Sequence, residues 1–217
     1  MAGTLTNCYR VQALYNLRGL IGSSSIIKIR NWRMQSSLYR HRQYLEYCPL
    51  GDLDRLISGE GGTYSYLIQA RRLPENKERD LLATSRFIPE PFIWYCFLRL
   101  VQAGILMERG ELASHGMLPW SLIVHRDFKW QNILLGVKGD KEFPGYPEPK
   151  LADFGLCLIL PPNDKTPSED YLAAGTRGVL APEQWKGLKN ADGSMAHVSS
   201  KTNVWGVGIG GYFSTTS

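Results

Sequence analysis

The sequence has no long hydrophobic run. No apolar stretch approaches the roughly 18 residues that a membrane-spanning helix needs, and the first residues carry neither the basic nor the apolar region of a secretory signal. Internal repeats and low-complexity tracts are missing as well. What is present, 43% hydrophobic and 21% charged residues in 217, is typical of one globular domain. We therefore expect a protein without a membrane span that works inside the cell, in the cytoplasm or the nucleus.

Cysteine and clustered charge are also scarce. The four cysteines lie far apart and form no Cys-x-x-Cys pair, so we expect reduced thiols. The net charge of +5 would suit a polyanionic partner, but the basic residues are scattered and their longest local cluster is Arg71-Arg72. We therefore do not expect nucleic acid as a partner.

The hydrophobic pattern predicts a mixture of helices and short strands. Near-helical spacing favours helices over residues 8–20, 52–57 and 92–108, the last with Phe92, Tyr95, Cys96, Leu98, Val101 and Ile105 on one face. Alternating and apolar runs predict strands over residues 26–32, 38–47, 121–124, 133–135 and 150–152. Residues 58–91 are charged and punctuated by Gly and Pro, and we interpret them as an inserted surface loop with some helix.

The first motif that indicates chemistry runs from His125 to Asn132. Its sequence, H-R-D-F-K-W-Q-N, fits the pattern H-R-D-x-K-x-x-N, in which the Asp accepts a proton and the Asn five residues later holds a metal. A polar turn between two strands would explain the polarity but not the identity of all five fixed residues. The motif predicts Asp127 as a catalytic base and Asn132 as a metal ligand.

The second motif, Asp153-Phe154-Gly155, follows Asn132 by 21 residues and comes directly after a predicted strand. Phosphoryl transfer concentrates negative charge on the γ-phosphate oxygens, so catalysis consists mostly of Mg²⁺ neutralisation and in-line positioning. An Asp at a strand end opposite a loop Asn supplies the two sets of metal ligands. Alone, D-F-G more often marks a buried turn; after the first motif it predicts Asp153 as the second metal ligand.

The third motif, Ala181-Pro182-Glu183, closes a segment of 31 residues that begins at Asp153. With three motifs in this order, residues from about 10 to 210 resemble the protein kinase superfamily, and Lys129, two residues after Asp127, resembles its Ser/Thr branch. The resemblance implies a two-lobed α/β (α+β) fold, ATP and Mg²⁺ as cofactors, and transfer of the γ-phosphate of ATP to Ser or Thr hydroxyls of a protein substrate.

The resemblance also implies a nucleotide site. Residues 43–53 are similar to the family's hinge, which makes Leu45 the gatekeeper and gives Glu46 and Cys48 backbone contacts to adenine. Leu134 would form the floor under the adenine ring, although an isolated Leu of this kind is more often a core residue. Lys129 would contact the γ-phosphate and Asp127.

The 31 residues from Asp153 to Glu183 resemble the family's activation segment and suggest a hypothesis about regulation. Thr166, Ser168 and Tyr171 lie in it, and a phosphate on one of them could pair with Arg126 and order the loop. A solvated loop without that role is an equal alternative.

The sequence departs from the family at the elements that cover the phosphates. The family opens with a Gly-rich strand-turn-strand and a strand Lys that pairs with a Glu on the next helix, and neither is visible. Lys28 is not that Lys, because only 18 residues separate it from Glu46. Family spacing puts Leu14 in the helix core and Arg10 in the place of the paired Glu, where a cation cannot make the usual ion pair. We therefore expect residues 1–217 alone to bind ATP weakly or not at all and to transfer phosphate at no more than a trace rate.

Three further departures lie near the end of the sequence. Gly206 to Gly211 form a G-x-G-x-x-G pattern that we interpret as coincidental, because the strand before it and the acidic residue after it are missing. Residues 201–208 resemble the start of the long central helix of the large lobe. Asn203 replaces the Asp that braces the catalytic loop there, so we expect a weaker brace. Glu183 is expected to lack the late-helix Arg that pairs with it in the family.

These observations give one hypothesis and its alternatives. We divide the chain into residues 1–48, a small-lobe remnant with one helix and two strands that ends at the hinge, and residues 49–217, an incomplete, mainly helical large lobe. The leading hypothesis is a Ser/Thr protein kinase catalytic domain that lacks both ends. The alternative is a silent pseudokinase or truncated binding module, favoured by the missing strand Lys and opposed by the intact Asp127, Asn132 and Asp153. A small-molecule phosphotransferase is a third alternative, which the Ala-Pro-Glu segment disfavours.

Overall fold

The computed structural model describes residues 9–20, 22–35, 40–58, 88–110, 120–138, 143, 145–162, 174–185, 189, 191–194 and 196–212. Within these residues the helices are α1 (Tyr9–Leu17), α2 (Leu53–Ser58), α3 (Glu90–Arg109) and α4 (Ser200–Tyr212). The strands are β1 (Ile29–Gln35), β2 (Arg40–Leu45), β3 (Leu122–Val124), β4 (Ile133–Lys138), β5 (Pro147–Leu151) and β6 (Leu158–Leu160). They pair as three two-stranded antiparallel sheets, β1-β2, β3-β6 and β4-β5. The architecture is α+β, as the sequence predicts.

The first helix and hairpin follow the sequence pattern closely. Helix α1 buries Val11, Leu14 and Leu17 and ends before Gly19, whose φ of 82° suits a residue without a Cβ. Strands β1 and β2 pair with Trp32 opposite Gln43. Strand β1 starts three residues later than the pattern predicts, within the usual uncertainty of element ends. The first two residues of the second predicted strand, 38 and 39, lie outside the described residues.

Helix α3 is the long central helix of the described residues. Its N-cap is Pro89, and it ends at Gly110, whose amide donates to the carbonyl of Leu106 at 2.9 Å. The predicted buried face is partly wrong, since only three of its six residues are buried. The side chains that the helix buries are Phe92, Tyr95, Cys96, Arg99, Leu100, Ala103, Leu106 and Met107, while Leu98, Val101 and Ile105 are half-buried. The buried residues follow one stripe at spacings of three and four, and this stripe includes Arg99, a charged residue that a hydrophobic pattern places outside.

Arg99 is buried because it belongs to an ionic network. Its Nη2 lies 2.8 Å from Oε1 of Glu148, and Nζ of Lys150 lies 2.9 Å from Oε2 of the same carboxylate. Lys150 also contacts Glu46 at 3.4 Å and donates to the carbonyl of Ser24 at 3.0 Å. Two cations and two carboxylates therefore compensate each other where α3, β5 and the end of β2 meet.

Backbone hydrogen bonds connect the first hairpin to the rest of the chain. The amide of Ile27 donates to the carbonyl of Leu151 at 2.9 Å, and the amide of Leu135 donates to the carbonyl of Gly51 at 2.8 Å. One hydrophobic core contains residues of α1, β1, α2, α3, β4 and β5. The division at residue 48 stays a prediction. Of the predicted insertion at 58–91, residues 59–87 lie outside the described residues.

Helix α4 contains the G-x-G-x-x-G pattern. A Cβ on Gly206 would lie 2.6 Å from the Phe128 side chain, so this glycine allows the helix to pack against the catalytic loop. The interpretation of the pattern as coincidental is confirmed, because a phosphate loop precedes a helix rather than lying inside it. Among the helices that the structure describes, none combines the length and apolar character required to cross a membrane.

Candidate active site

Asp127 lies at the centre of a set of hydrogen bonds. Its Oδ1 accepts from the hydroxyl of Thr176 at 2.7 Å and from the Thr176 amide at 3.0 Å. Its Oδ2 accepts from Nδ2 of Asn132 at 3.0 Å and lies 3.2 Å from Nζ of Lys129. Nζ of Lys129 also donates to the Thr176 hydroxyl at 2.9 Å. The carboxylate is therefore fixed from both sides, with a cation against one oxygen.

This environment decides the charge of Asp127. Burial alone would raise its pKa, but the hydrogen bonds from Thr176, Lys129 and Asn132 and the positive charge of Lys129 outweigh burial and lower the pKa. The group is ionised at neutral pH, which is the state needed to orient a hydroxyl and accept its proton.

Asn132 and Asp153 line the same cavity, which has a volume of about 300 Å³. Asn132 turns its amide nitrogen to Asp127, donating to the Asp127 carbonyl at 2.9 Å and to Oδ2, so its amide oxygen is the atom left for a ligand. The Asp153 side chain is 55% exposed. Amide and carboxylate oxygens are ligands that Mg²⁺ accepts, and one or two of them suffice when phosphates complete the coordination. The residues fit a phosphate-bridged Mg²⁺ ion.

A metal without phosphates finds less support. The described residues contain no group of three or more His, Cys, Asp or Glu that could hold a metal ion. A metal bound by Asn132 and Asp153 would therefore depend on oxygen ligands from a bound substrate.

Local backbone geometry places both loops against each other. The amide of Ala152 donates to the carbonyl of Asn132 at 2.8 Å. Asp153 has a φ of 56° and Arg126 a φ of 68°, left-handed values that cost non-glycine residues about 1–3 kcal/mol and concentrate at functional sites. Oδ1 of Asp153 accepts from the Gly155 amide at 3.1 Å, which holds the carboxylate over its own turn.

Arg10 occupies a position that the sequence analysis left without a role. Its Nη2 lies 3.7 Å from Oδ1 of Asp153, and it lines the same cavity. Arg10 replaces the family's Glu, and the expectation that it cannot form the usual ion pair with a strand Lys stands. It nevertheless forms an ion pair of its own. It is the counter-ion of the predicted metal ligand.

The predicted adenine residues surround the other side of this cavity or lie beside it. Leu45 and Leu134 line it, and Leu45 is 39% exposed. The amide of Glu46 donates to the carbonyl of Lys28 at 2.9 Å, so a contact from Glu46 to adenine would come from its carbonyl oxygen. Cys48 packs against the core; burial, then the charge of Glu46, raises the pKa of its thiol to about 11, so it is not a nucleophile at neutral pH.

His125 and Asn203 secure the loop that carries Asp127. Oδ1 of Asn203 accepts from the His125 amide at 2.9 Å, and its Nδ2 donates to the carbonyl of Ile123 at 2.8 Å. The His125 ring contacts the carbonyl of Ala152 at 2.9 Å and packs edge-on against Phe154. The sequence predicts that Asn203 holds this loop less firmly than an Asp would. That prediction did not include the second hydrogen bond, from Nδ2 to the Ile123 carbonyl, which a carboxylate cannot make because it has no donor.

Glu183 has a hydrogen-bond partner that was not predicted from the sequence. Its Oε1 accepts from the hydroxyl of Thr202 at 2.6 Å, and the residue is half-buried rather than enclosed. The missing late-helix Arg stays an expectation, but this hydroxyl compensates part of the cost of burying the carboxylate. Beside it, Nε2 of Gln184 donates to the carbonyls of Ala174 and Arg126, at 2.9 and 3.2 Å. The end of the activation segment is thereby fastened to the catalytic loop.

Arg126 makes a contact within the site. Its Nε donates to the carbonyl of Leu156, just after Asp153-Phe154-Gly155. Thr166, Ser168 and Tyr171, which are predicted to carry a phosphate, lie outside the described residues, so the pairing with Arg126 stays a prediction.

Comparison with protein families agrees with this geometry. Residues 116–216, which contain all three motifs, match the protein kinase domain. The chain belongs to the protein kinase superfamily.

Individual protein kinases resemble this chain over different lengths. It is 32% identical over 186 residues to the Aurora kinase of Schizosaccharomyces pombe, covering 83% of this chain and 39% of that protein. It is 28% identical over 163 residues to the probable serine/threonine-protein kinase PBL4 of Arabidopsis thaliana, covering 75% and 31%. Cold-responsive protein kinase 1 of A. thaliana is 49% identical over 83 residues, covering 38% and 17%. Each match spans less than half of the relative's own length.

Besides Arg10, two residues at the site received no role from the sequence. Thr176 lies five residues before the Ala-Pro-Glu motif, and its position 49 residues after Asp127 gives no hint that both meet. Gln184 directly follows the Ala-Pro-Glu motif and looks like an ordinary polar residue. Both act through tertiary contacts, which no local pattern reports.

Proposed function

We propose that this kinase chain carries the site at which the γ-phosphate of ATP is transferred to a Ser or Thr hydroxyl of a protein substrate. The observation that carries the proposal is the ionised Asp127, held between Thr176 and Lys129 next to a cavity lined by Asn132 and Asp153. A base, a cation and two oxygen ligands for a metal are the parts that phosphoryl transfer requires.

Asp127 acts on the acceptor. Its carboxylate would orient the incoming Ser or Thr hydroxyl and take its proton as the new oxygen–phosphorus bond forms and the bond from the γ-phosphorus to the ADP oxygen breaks, with ADP as the leaving group. Since Thr176 and Lys129 already hold the carboxylate in place, little reorganisation is needed when the substrate arrives. A pKa below the ordinary range keeps Asp127 ready as an acceptor throughout the neutral range.

Lys129 and the two oxygen ligands act on the nucleotide. ATP and Mg²⁺ supply the phosphoryl group and neutralise its charge. Asn132 and Asp153 would hold the metal through side-chain oxygens, and the Lys129 ammonium, 27% exposed, can reach an oxygen of the transferred group without leaving Asp127. Leu45 and Leu134 give the adenine an apolar slot, with the Glu46 carbonyl and the Cys48 backbone beside it.

A second candidate function is nucleotide binding without turnover. The Arg10–Asp153 ion pair favours it, because it engages a metal ligand with a side-chain cation. The Asp127 geometry favours transfer, because a binding module has no need for a fixed, ionised base.

Phosphate transfer separates the two candidates. The chain is incubated with ATP labelled in the γ-phosphate, Mg²⁺ and a generic Ser/Thr protein substrate, and the labelled amino acid is identified after hydrolysis. We expect slow labelling of Ser and Thr that stops with EDTA and in Asp127→Asn. Nucleotide binding without any Asp127-dependent label would establish the second function, and labelled Tyr would contradict the acceptor class.

A further inference from the structure

One cation lies inside the nucleotide cavity, and it comes from helix α1. Arg10 is in the first turn of the helix, and its Nη2 lies 3.7 Å from Oδ1 of Asp153. Among the described residues that line the cavity, Arg10 is the positively charged one and Asp153 the negatively charged one. The others are Leu14, Gln43, Leu45, Gln131, Asn132, Leu134, Ala152 and Phe154.

The Arg10 guanidinium lies against Gly155. A Cβ built on Gly155 would clash with Nη2 of Arg10, so any other residue at 155 would require the guanidinium to shift. The third residue of the Asp-Phe-Gly motif therefore makes room for this cation. The position of Arg10 is thus coupled to the turn that holds Asp153.

The Arg10–Asp153 pair is weak and can be exchanged. Its side chains are 42% and 55% exposed, and the distance of 3.7 Å is longer than a close charge-assisted hydrogen bond. Exposed pairs of this kind contribute about 0–1 kcal/mol. A ligand with several negative charges would compete successfully for the guanidinium, while a metal ion would compete for the carboxylate.

We propose that Arg10 is the phosphate-binding cation of this nucleotide site. In the free chain it balances the charge of Asp153; with a nucleotide bound it turns to the non-transferred phosphates and leaves Asp153 to the metal. Arginine suits this role because its planar guanidinium donates two parallel hydrogen bonds to phosphate oxygens. The inference deepens the proposed function and rests on it.

The test compares a ligand that has phosphates with one that has none. The full chain is titrated with ADP and with adenosine, each with Mg²⁺, and the two dissociation constants are measured by calorimetry up to millimolar ligand. We expect Arg10→Ala to weaken ADP binding about tenfold, the effect of about one charge-assisted hydrogen bond, and to leave adenosine binding unchanged within about twofold. Arg10→Lys should recover part of the loss. Arg18→Ala, which removes an exposed arginine of the following turn, should change neither constant.

A second measurement tests the exchange itself. In EDTA, Asp153 competes with ADP for Arg10, so Asp153→Asn should bind ADP several-fold more tightly than the wild type. The double variant Arg10→Ala/Asp153→Asn should show no such gain when its ADP affinity is compared with that of Arg10→Ala. If the double variant keeps the full gain, Asp153 acts by simple repulsion of the phosphates and not through Arg10.

The outcomes separate the inference from the function beneath it. Equal ADP affinity in wild type and Arg10→Ala, or equal losses for ADP and adenosine, would overturn the role of Arg10 while nucleotide binding stands. A wild-type chain that binds neither ligand would overturn the nucleotide site and the inference with it. If Arg10→Ala melts before the titration temperature, Arg10→Gln, which keeps a longer polar side chain without the charge, gives the same comparison.

Discussion

The hydroxyl of Thr176 donates a hydrogen bond of 2.7 Å to Oδ1 of Asp127, although the two residues are 49 positions apart. The same hydroxyl accepts from Nζ of Lys129, so one atom orders both the base and the cation beside it. The order of Asp127 and Lys129 in the catalytic loop therefore depends on the position of the activation segment. Correct placement of Thr176 is a condition for an ordered Asp127.

Thr176→Val removes this hydroxyl at almost constant volume. We expect the rate of phosphate transfer to fall about 10- to 100-fold, because a hydrogen bond to a charged group contributes about 1.5–3 kcal/mol. Thr176→Ser keeps the hydroxyl and should stay within about threefold of the wild type. The comparison uses single-turnover rates at saturating ATP. Equal rates for Val and Ser would show that the amide of residue 176 alone orders Asp127.

Asn203→Asp restores the residue that the kinase family uses, and we expect it to destabilise this chain. Asn203 is 2% exposed, and its Nδ2 faces the carbonyl oxygen of Ile123. A carboxylate there would lose the donor and place two oxygens against each other, at a cost of about 1–3 kcal/mol. Urea unfolding at pH 7 measures the difference. A gain in stability would mean that a charged acceptor for the His125 amide outweighs the lost bond to Ile123.

His125 makes stability depend on pH. Burial, only partly offset by the bond to the Ala152 carbonyl, lowers the pKa of its imidazole to about 4, below the roughly 6.5 of an unfolded chain. Between these values the unfolded state binds the extra proton, so the neutral ring contributes stability above pH 6.5 that is lost as pH falls toward 4. The full loss is about 3 kcal/mol.

Urea unfolding between pH 7.5 and 4.5 checks this dependence. The lowered pKa of Asp127 places its own loss of stability at more acidic pH, outside this window. His125→Gln should be less stable at pH 7.5 and should show a flatter profile. An unchanged slope in His125→Gln would assign the dependence to other groups.

Glu148 is the shared anion of the buried ionic network. Glu148→Gln leaves Arg99 and Lys150 with one carboxylate between them, and we expect a loss of about 3 kcal/mol in unfolding free energy, as for a buried pair that loses one partner. Glu108→Gln is the matched control, because Glu108 is 43% exposed and lies 3.7 Å from an exposed Arg109. It should cost less than about 1 kcal/mol. Similar losses for both variants would show that the network is not effectively buried.

The sequence predicted what local patterns encode. Helix α1 stops near Gly19, and β4 and β5 pair as adjacent strands, as expected for two apolar runs joined by a short Gly- and Pro-rich connection. The identities within residues 125–132 and 153–155 pointed to Asp127, Asn132 and Asp153, which the fold brings to one loop cluster and one cavity. Such motifs are readable because their residues act at fixed short spacing.

Contacts between distant charged residues could not be predicted in this way. Arg99 entered the buried face of α3 because Glu148, 49 residues later, compensates its charge. Arg10 pairs with Asp153 because helix α1 packs against the Asp-Phe-Gly turn. The kinase family usually has a Glu at this position, so the resemblance gave no reason to expect this ion pair. Asn203 gained a second hydrogen bond only because Ile123 presents a carbonyl to it.

The role of Asp127 as catalytic base is the central claim, and its most direct test is the single-turnover rate of phosphate transfer by Asp127→Asn in a full-length form of the protein. Asparagine keeps the size of the side chain but cannot accept the proton, and it replaces one of the two acceptor oxygens that Thr176, Asn132 and Lys129 contact with an NH₂ donor. We predict a rate about 10²–10⁴-fold below that of the wild type, the usual contribution of a positioned base, with Mg²⁺-ADP affinity changed by less than about threefold. An Asp127→Asn chain that transfers phosphate at the wild-type rate would contradict the account.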